Sequence, residues 1–392
     1  MNSRSIGGGL LLVGVVTGAG LITLPAVCAA LSLFQASLLL VFAWSVMTLS
    51  ALFVWRQTLF FPVNKNSLAS MVGHTFGRKG KIFYHAANSL LLYILIAAYI
   101  TGASDSLQSK IHLYSNIFFP LSLAKIVITV ILGAWITGGA RKIDYANRFI
   151  LAGKFIVFLI LIGLMVPHIS LTESEFFKQS GKGSILIALP VLFVVFGLHP
   201  TIPSVVSYAG KDRSLWKVIF LSTTFPLILY LLWIFSANSI VRTIDLHSNL
   251  NYQDVLSALG KNRGRVLVSS FVDLALVSSI LAVGLGLYDS WYEFWVFGRT
   301  RCQQEILAKI LAGLGSFFPP LILTLIWPKG FLALLSVAAL IASVTVIIIP
   351  ALLFLFTLKK TGRMNYYLGI AAGIYTILGG LLLGGVVLAV YC

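Results

Sequence analysis

Lys125, Lys154, His199 and Asp273 stand in stretches of sequence that are otherwise apolar. A charge at the centre of a membrane helix costs about 2.5–3.5 kcal/mol on insertion scales, so each of these side chains needs a reason to be there. Lys154 ends the run Asn147-Arg-Phe-Ile-Leu-Ala-Gly-Lys154. A buried amine can bind and release a proton, which makes it a candidate coupling group. His199 lies in Pro190-Val-Leu-Phe-Val-Val-Phe-Gly-Leu-His-Pro-Thr-Ile-Pro203, between Gly197 and Pro200. There an imidazole can serve a substrate or a proton. Asp273, Ser278 and Ser279 share one apolar run, and the two hydroxyls could serve a cation or simply pack. Lys125 reads as a snorkelling lysine at the outer end of its helix.

These groups need elements to hold them. Of the 392 residues 59% are hydrophobic and 10% charged. A soluble domain has about 45–50% apolar and about 25% charged residues, so composition excludes a soluble enzyme or a free nucleic-acid binder. Eleven runs are long enough to span a bilayer, each about 20 apolar residues. They cover 6–31, 36–60, 82–104, 117–138, 147–168, 185–208, 216–240, 266–290, 306–327, 331–357 and 366–391. Their length and all-round apolarity predict α-helices, not the short alternating strands of a barrel. Lys154 and Asp273 each lie about seven residues inside their spans, or about 10 Å at 1.5 Å per residue. They enter from opposite faces of a core about 30 Å thick, so no direct ion pair between them is expected. Ser278 and Ser279 come nearer the level of Lys154.

The formal charge of +17 resides mostly in short loops. Placing the N-terminus inside gathers Arg56, Lys65, Arg78, Lys79 and Lys81, then Arg141, Lys142 and Arg148, and later Lys359, Lys360 and Arg363 on the inner face. The positive-inside rule therefore predicts a cytoplasmic N-terminus and, with eleven spans, an outer C-terminus. Residues 6–31 are read as a retained first span and not a cleaved signal. Cys28, Cys302 and Cys392 match no metal or disulfide spacing. The outer loop near 241–265 contains Tyr252, Val255, Leu256 and Leu259 at helical spacing, which predicts a short amphipathic helix.

Two spans are interrupted at mid-depth. The first carries Gly18, Gly20 and Pro25, and the sixth Gly197, Pro200 and Pro203. In a chain of two five-helix repeats these are corresponding positions. Paired Gly/Pro interruptions point to a substrate site at the bilayer midplane. Unwound backbone must face protein or a polar cavity, because lipid offers it no partner. Freed N–H groups attract a carboxylate and freed carbonyls an ammonium, so an amino acid suits both. Thr17, Gly18, Ala19, Gly20, Gly197 and His199 are the candidate contacts to the charged ends. Phe193 and Phe196, with Tyr99 of the third span, are candidates for the side-chain pocket.

The runs Gly18-Ala-Gly20 with Pro25, Asn147-Arg-Phe…Ala-Gly-Lys154, Phe196-Gly-Leu-His-Pro-Thr-Ile-Pro-Ser-Val-Val-Ser-Tyr208 and Asp273-Leu-Ala-Leu…Gly-Leu-Tyr-Asp289 resemble the bacterial hydroxy/aromatic amino acid permeases. The resemblance extends over nearly the whole chain. It implies an all-α membrane protein with a LeuT-type five-plus-five inverted repeat, 6–168 and its inverted copy 185–357 with 366–391 as an added helix, and proton symport of tyrosine or tryptophan across the inner membrane. Lys154 is similar in position to the fifth-helix lysine that stands in proton-driven relatives where sodium-driven ones hold an ion. Pro200 departs from the small residue usual after the histidine. Sodium coupling through Ser278 and Ser279 is the alternative that the residues leave open, and a channel or intramembrane enzyme is less well served. The partners expected are a small amino acid, a proton and lipid, with no cofactor and no nucleic acid; oligomeric state is not legible.

Overall fold

The computed structural model describes residues 3–18, 20–29, 31–62, 67–138, 140–165, 184–241, 264–296, 302–328, 330–360 and 373. The helices are α1 (Ser3–Val16), α2 (Gly20–Cys28), α3 (Leu33–Thr58), α4 (Leu68–Ser115), α5 (Leu121–Thr137), α6 (Ala140–Met165), α7 (Ser184–Val195), α8 (Ile202–Ala209), α9 (Leu215–Val241), α10 (Gly264–Val296), α11 (Cys302–Ile326), α12 (Phe331–Ala342) and α13 (Ile349–Lys360). A 3₁₀ turn, His199–Thr201, precedes α8, and a π turn, Ser343–Ile348, joins α12 to α13. Among the described residues eight stretches are long and apolar enough to cross a membrane. The α1–α2 pair, bent by 43°, makes a ninth, and α5 is a shorter apolar helix of 17 residues. The expected span 366–391 and the amphipathic helix at 251–259 lie outside the described residues.

The third span differs from its expected extent of 82–104. It runs from Leu68 to Ser115 with a kink at Gly77, whose φ of 75° is left-handed. Only glycine adopts that backbone without strain, so the helix changes direction there. The charges around Arg78 that marked a loop in the sequence are carried on helix instead.

The chain divides into two compact units, described separately. The first comprises Met1–Asn88, Ile169–Arg242 and Ala339–Cys392. In it α1 packs on α8 and α9, α2 packs on α7 and α9, and α3 packs on α7, α8, α9 and α13. The two broken spans thus cross antiparallel, each half of one against the opposite half of the other. Membrane helices gain little from hydrophobic exclusion and approach closely where residues are small. A Cβ on Gly8 would lie 2.7 Å from Val205 Cγ1 of α8, and one on Gly9 2.9 Å from Val218 Cγ1 of α9. Helix α3 starts from a reciprocal cap in which Gln35 N–H donates to Ser32 Oγ and Ser32 N–H to Gln35 Oε1. Thr48 Oγ1 donates to Thr223 Oγ1 of α9 at 3.0 Å, and Ser50 Oγ donates to the Val346 carbonyl in the π turn. Cys28 is a free, buried thiol that packs within α2.

The second unit comprises Ser89–His168 and Thr243–Ala338. Helix α10 is its centre and packs on α5, α6 and α11. Close approach again falls at glycines: a Cβ on Gly284 would meet Ile136 Cδ1 at 2.8 Å, and one on Gly313 Thr137 Cγ2 at 2.9 Å. Trp291 Nε1 donates to Tyr93 Oη at 2.7 Å, and Tyr93 donates to the Gly315 carbonyl at 2.8 Å, tying α4, α10 and α11.

Candidate functional site

The first unit holds both breaks. Helix α1 closes with Thr17 N–H on the Val13 carbonyl at 2.9 Å, and Gly18 N–H turns back to the Val16 carbonyl at 2.8 Å. Helix α2 starts anew at Gly20. The Thr17 hydroxyl is spent on the Val13 carbonyl of its own helix at 2.8 Å. Ala19 lies outside the described residues. In the second break α7 ends at Val195, and Phe196 and Gly197 N–H groups tighten onto the Phe193 and Val194 carbonyls. The chain becomes helical again at His199.

Here the structure corrects the role given to Pro200. The sequence suggests that Pro200 breaks the helix by crowding the Phe196 carbonyl. In the structure the helix has already ended, and Pro200 sits in the first turn of the next helical segment, as does Pro203 in α8. At that position a missing N–H costs nothing, and the fixed φ favours helix. The prolines start the second half; Phe196–Leu198 is the unwound part.

His199 is 0% exposed, and its ring lies against the Met47 backbone of α3. Among the described residues neither ring nitrogen makes a hydrogen bond of good geometry. Phe193 and Phe196 are buried, Phe193 edge-on to Phe42 at 6.2 Å. Phe196 packs edge-on against Tyr230 with ring centroids 5.3 Å apart.

Tyr230 is the residue sequence reading missed. It sits near the middle of α9 and is 0% exposed. Its hydroxyl is 2.6 Å from the Val16 carbonyl and 3.3 Å from the Val195 carbonyl. Those are the last carbonyls of α1 and α7, the ends of both half-helices. The same oxygen lies 3.2 Å from where a Gly20 Cβ would stand. The signal available was a tyrosine at mid-span, whose O–H must find a partner when buried.

The second unit holds the remaining candidates. Lys154 on α6 is 1% exposed, and its Nζ donates to Ser278 Oγ of α10 at 3.5 Å. Ser278 and Ser279 each donate to the Ala275 carbonyl at 2.9 Å. Lys154 and Ser278 therefore meet, at the level expected for them. Asp273 does not pair with Lys154, also as expected; its carboxylate takes Lys110 Nζ and, at 2.6 Å, Ser106 Oγ, both from α4. Tyr99 is buried on α4. Lys125 needs correction. It does not snorkel but is 1% exposed, and its Nζ donates to the Thr324 and Pro328 carbonyls at 2.6 and 3.1 Å. Thr324 lies in the last turn of α11 and Pro328 two residues past its end, where a cation is favoured.

Residues 1–391 match the model of the tryptophan/tyrosine permease family. The chain belongs to that family. It is 27% identical to tyrosine-specific transport system 2 of Haemophilus influenzae, with 100% of this chain and 96% of that protein covered. It is also 27% identical to the tryptophan-specific transport protein of the same organism, covering 92% and 89%. Glutamine transporter 2 of Aliivibrio fischeri is 26% identical, covering 99% and 97%. Among solved structures, Mhp1, a nucleobase-cation-symport-1 family transporter in a closed conformation, matches with a TM-score of 0.60 at 13% identity, covering 96% of this chain and 89% of that one. The permease thus has the LeuT-type transporter fold, multi-pass and helical throughout its regular elements among the described residues.

Proposed function

We propose that this permease imports an aromatic amino acid, tyrosine or tryptophan, together with a proton across the bacterial inner membrane. The observation that carries this reading is the antiparallel pair of breaks at Thr17–Gly20 and Phe196–Leu198, packed within one unit. Half-helix N-termini favour the substrate carboxylate, and half-helix C-termini favour its ammonium. Phe193 and Phe196 supply apolar surface beside the second break, with Tyr99 as a further pocket candidate on α4. Lys154 is the proton site. A buried lysine facing only a hydroxyl at 3.5 Å has no carboxylate to hold it charged among the described residues, so gaining or losing its proton changes what α6 and α10 can accept. A proton that binds one of two conformations better shifts the balance between them, which is what coupling requires. Spans one, two, six and seven fall in the first unit, and most of span three with four, five, eight and nine in the second, so the first four pairs of corresponding spans each share a unit, which supports repeats at 6–168 and 185–357; 366–391 is proposed as the added helix. The loop charge supports an inner N-terminus and an outer C-terminus.

The test is uptake of labelled tyrosine, tryptophan and glutamine into proteoliposomes, with pH and sodium gradients imposed separately. Accumulation of the aromatic substrates driven by an inward proton gradient is expected. Accumulation driven only by sodium, with Ser278 and Ser279 required, would replace the proton reading. Glutamine as the preferred substrate would replace the aromatic one.

A further inference from the structure

We infer that Tyr230 is a positioning residue of the substrate site, its hydroxyl tying together the carbonyl ends of both broken helices. Every atom in this contact belongs to the first unit. The end of a half-helix leaves carbonyls without intrahelical partners, and in a membrane no water relieves them. Two such ends, at Val16 and Val195, converge on one point. Negative helix ends brought together attract a cation or a proton donor. The tyrosine fills that point with an O–H fixed to a rigid ring, itself held edge-on by Phe196. The geometry is unequal. The hydroxyl is close to Val16 at 2.6 Å and distant from Val195 at 3.3 Å. One proton serves two acceptors, so a small shift of either helix end redistributes the bond between them.

The consequence is that the backbone offered to the substrate at Gly18–Gly20 and at Phe196–Leu198 is kept in shape by a side chain buried near the middle of α9. Tyr230 acts through the two helix ends and not as a ligand. This rests on the breaks being the substrate site, so one arm of the test is independent of transport.

In that arm, hydrogen–deuterium exchange is followed at the backbone of 14–22 and 193–201 in purified protein. Tyr230→Phe keeps the ring and its contact with Phe196 and removes only the oxygen. Exchange in both segments should rise about tenfold, since buried carbonyls are left unpaired. Ser222→Ala, which removes another bond from α9 to α1, on the Gly9 carbonyl at 3.1 Å, should change neither. A near-isosteric difluorotyrosine at 230, a stronger donor, should slow exchange at both. In the transport arm Tyr230→Phe should raise KM for the amino acid about tenfold with kcat within about twofold, and sodium should leave the wild-type KM unchanged. Faster exchange at neither break or at only one overturns the proposal. So does an unaltered KM in Tyr230→Phe, or a sodium-dependent KM that wild type and Tyr230→Phe share. If wild type moves no aromatic amino acid, the transport reading fails while the exchange arm still decides the role of Tyr230.

Discussion

Lys154 and Lys125 are both lysines at 1% exposure, yet the structure gives them opposite surroundings. Lys125 has two carbonyl oxygens within 3.1 Å, in the last turn of α11 and just past its end. Lys154 has a hydroxyl at 3.5 Å, a weak partner for a full charge. The first arrangement suits a structural charge and the second a group that exchanges its proton. Lys154→Ala should therefore abolish accumulation driven by a pH gradient while leaving exchange of labelled for unlabelled substrate measurable. Lys154→Arg should fail as well, because a guanidinium keeps its proton. Gradient-driven accumulation surviving in Lys154→Ala would move the proton site elsewhere, His199 being next. These two lysines also show what sequence can and cannot give. A charge inside an apolar run is rare enough to flag itself, so Lys154 and His199 were legible. The partner is a tertiary fact: nothing near Asp273 in sequence names Lys110, and nothing near Lys125 names Thr324. Tyr230 was harder still, since one tyrosine among 14 carries no mark until its hydroxyl is seen on two carbonyls.

At the scale of helices, the interruptions were legible because Gly and Pro are costly inside a helix. The exact unwound residues were not, because a proline marks the start of a segment as readily as the end of one. Pro200 illustrates this, sitting inside a first turn and not at a fracture. Glycines have a second role that sequence does not separate from the first. Gly18 belongs to a break, whereas Gly8 and Gly9 are contact surface for α8 and α9. Gly8→Ala places a methyl 2.7 Å from Val205 Cγ1, a branched side chain with little freedom to move. Overpacking of this kind costs about 1–3 kcal/mol. The purified Gly8→Ala protein should melt at a lower temperature and transport more slowly, whereas Gly163→Ala on α6, with nothing within 4 Å of its Cβ, should do neither. Equal melting temperatures for the two variants would contradict the close packing of α1 on α8.

For the molecule as a whole, composition alone was enough to reveal a multi-pass helical protein, and the count of spans followed from bilayer thickness. The partition into two units was not visible, because it groups helices far apart in the chain. One feature of the first unit has a bearing on which substrates are admitted. Because the broken spans cross antiparallel, two helix C-termini, at Val16 and Val195, and two N-termini, at Gly20 and Ile202, belong to the same pair. Each terminus carries about half an elementary charge, negative at the C-end and positive at the N-end. The four sum to about zero, as two opposite pairs of about one charge each. A molecule with one ammonium and one carboxylate neutralises that arrangement charge for charge. A side chain with a further charge leaves one unit over, in a place where an unmatched ion is costly. Lysine, arginine, aspartate and glutamate in large excess should therefore leave uptake of labelled tyrosine unchanged, while tryptophan competes. Inhibition by any of the four as strong as by tryptophan would mean that these helix ends do not select the substrate. The net +17 of the chain lies outside this balance: no lysine or arginine falls between Arg4 and Arg56 or between Lys182 and Lys211, the stretches that hold both breaks.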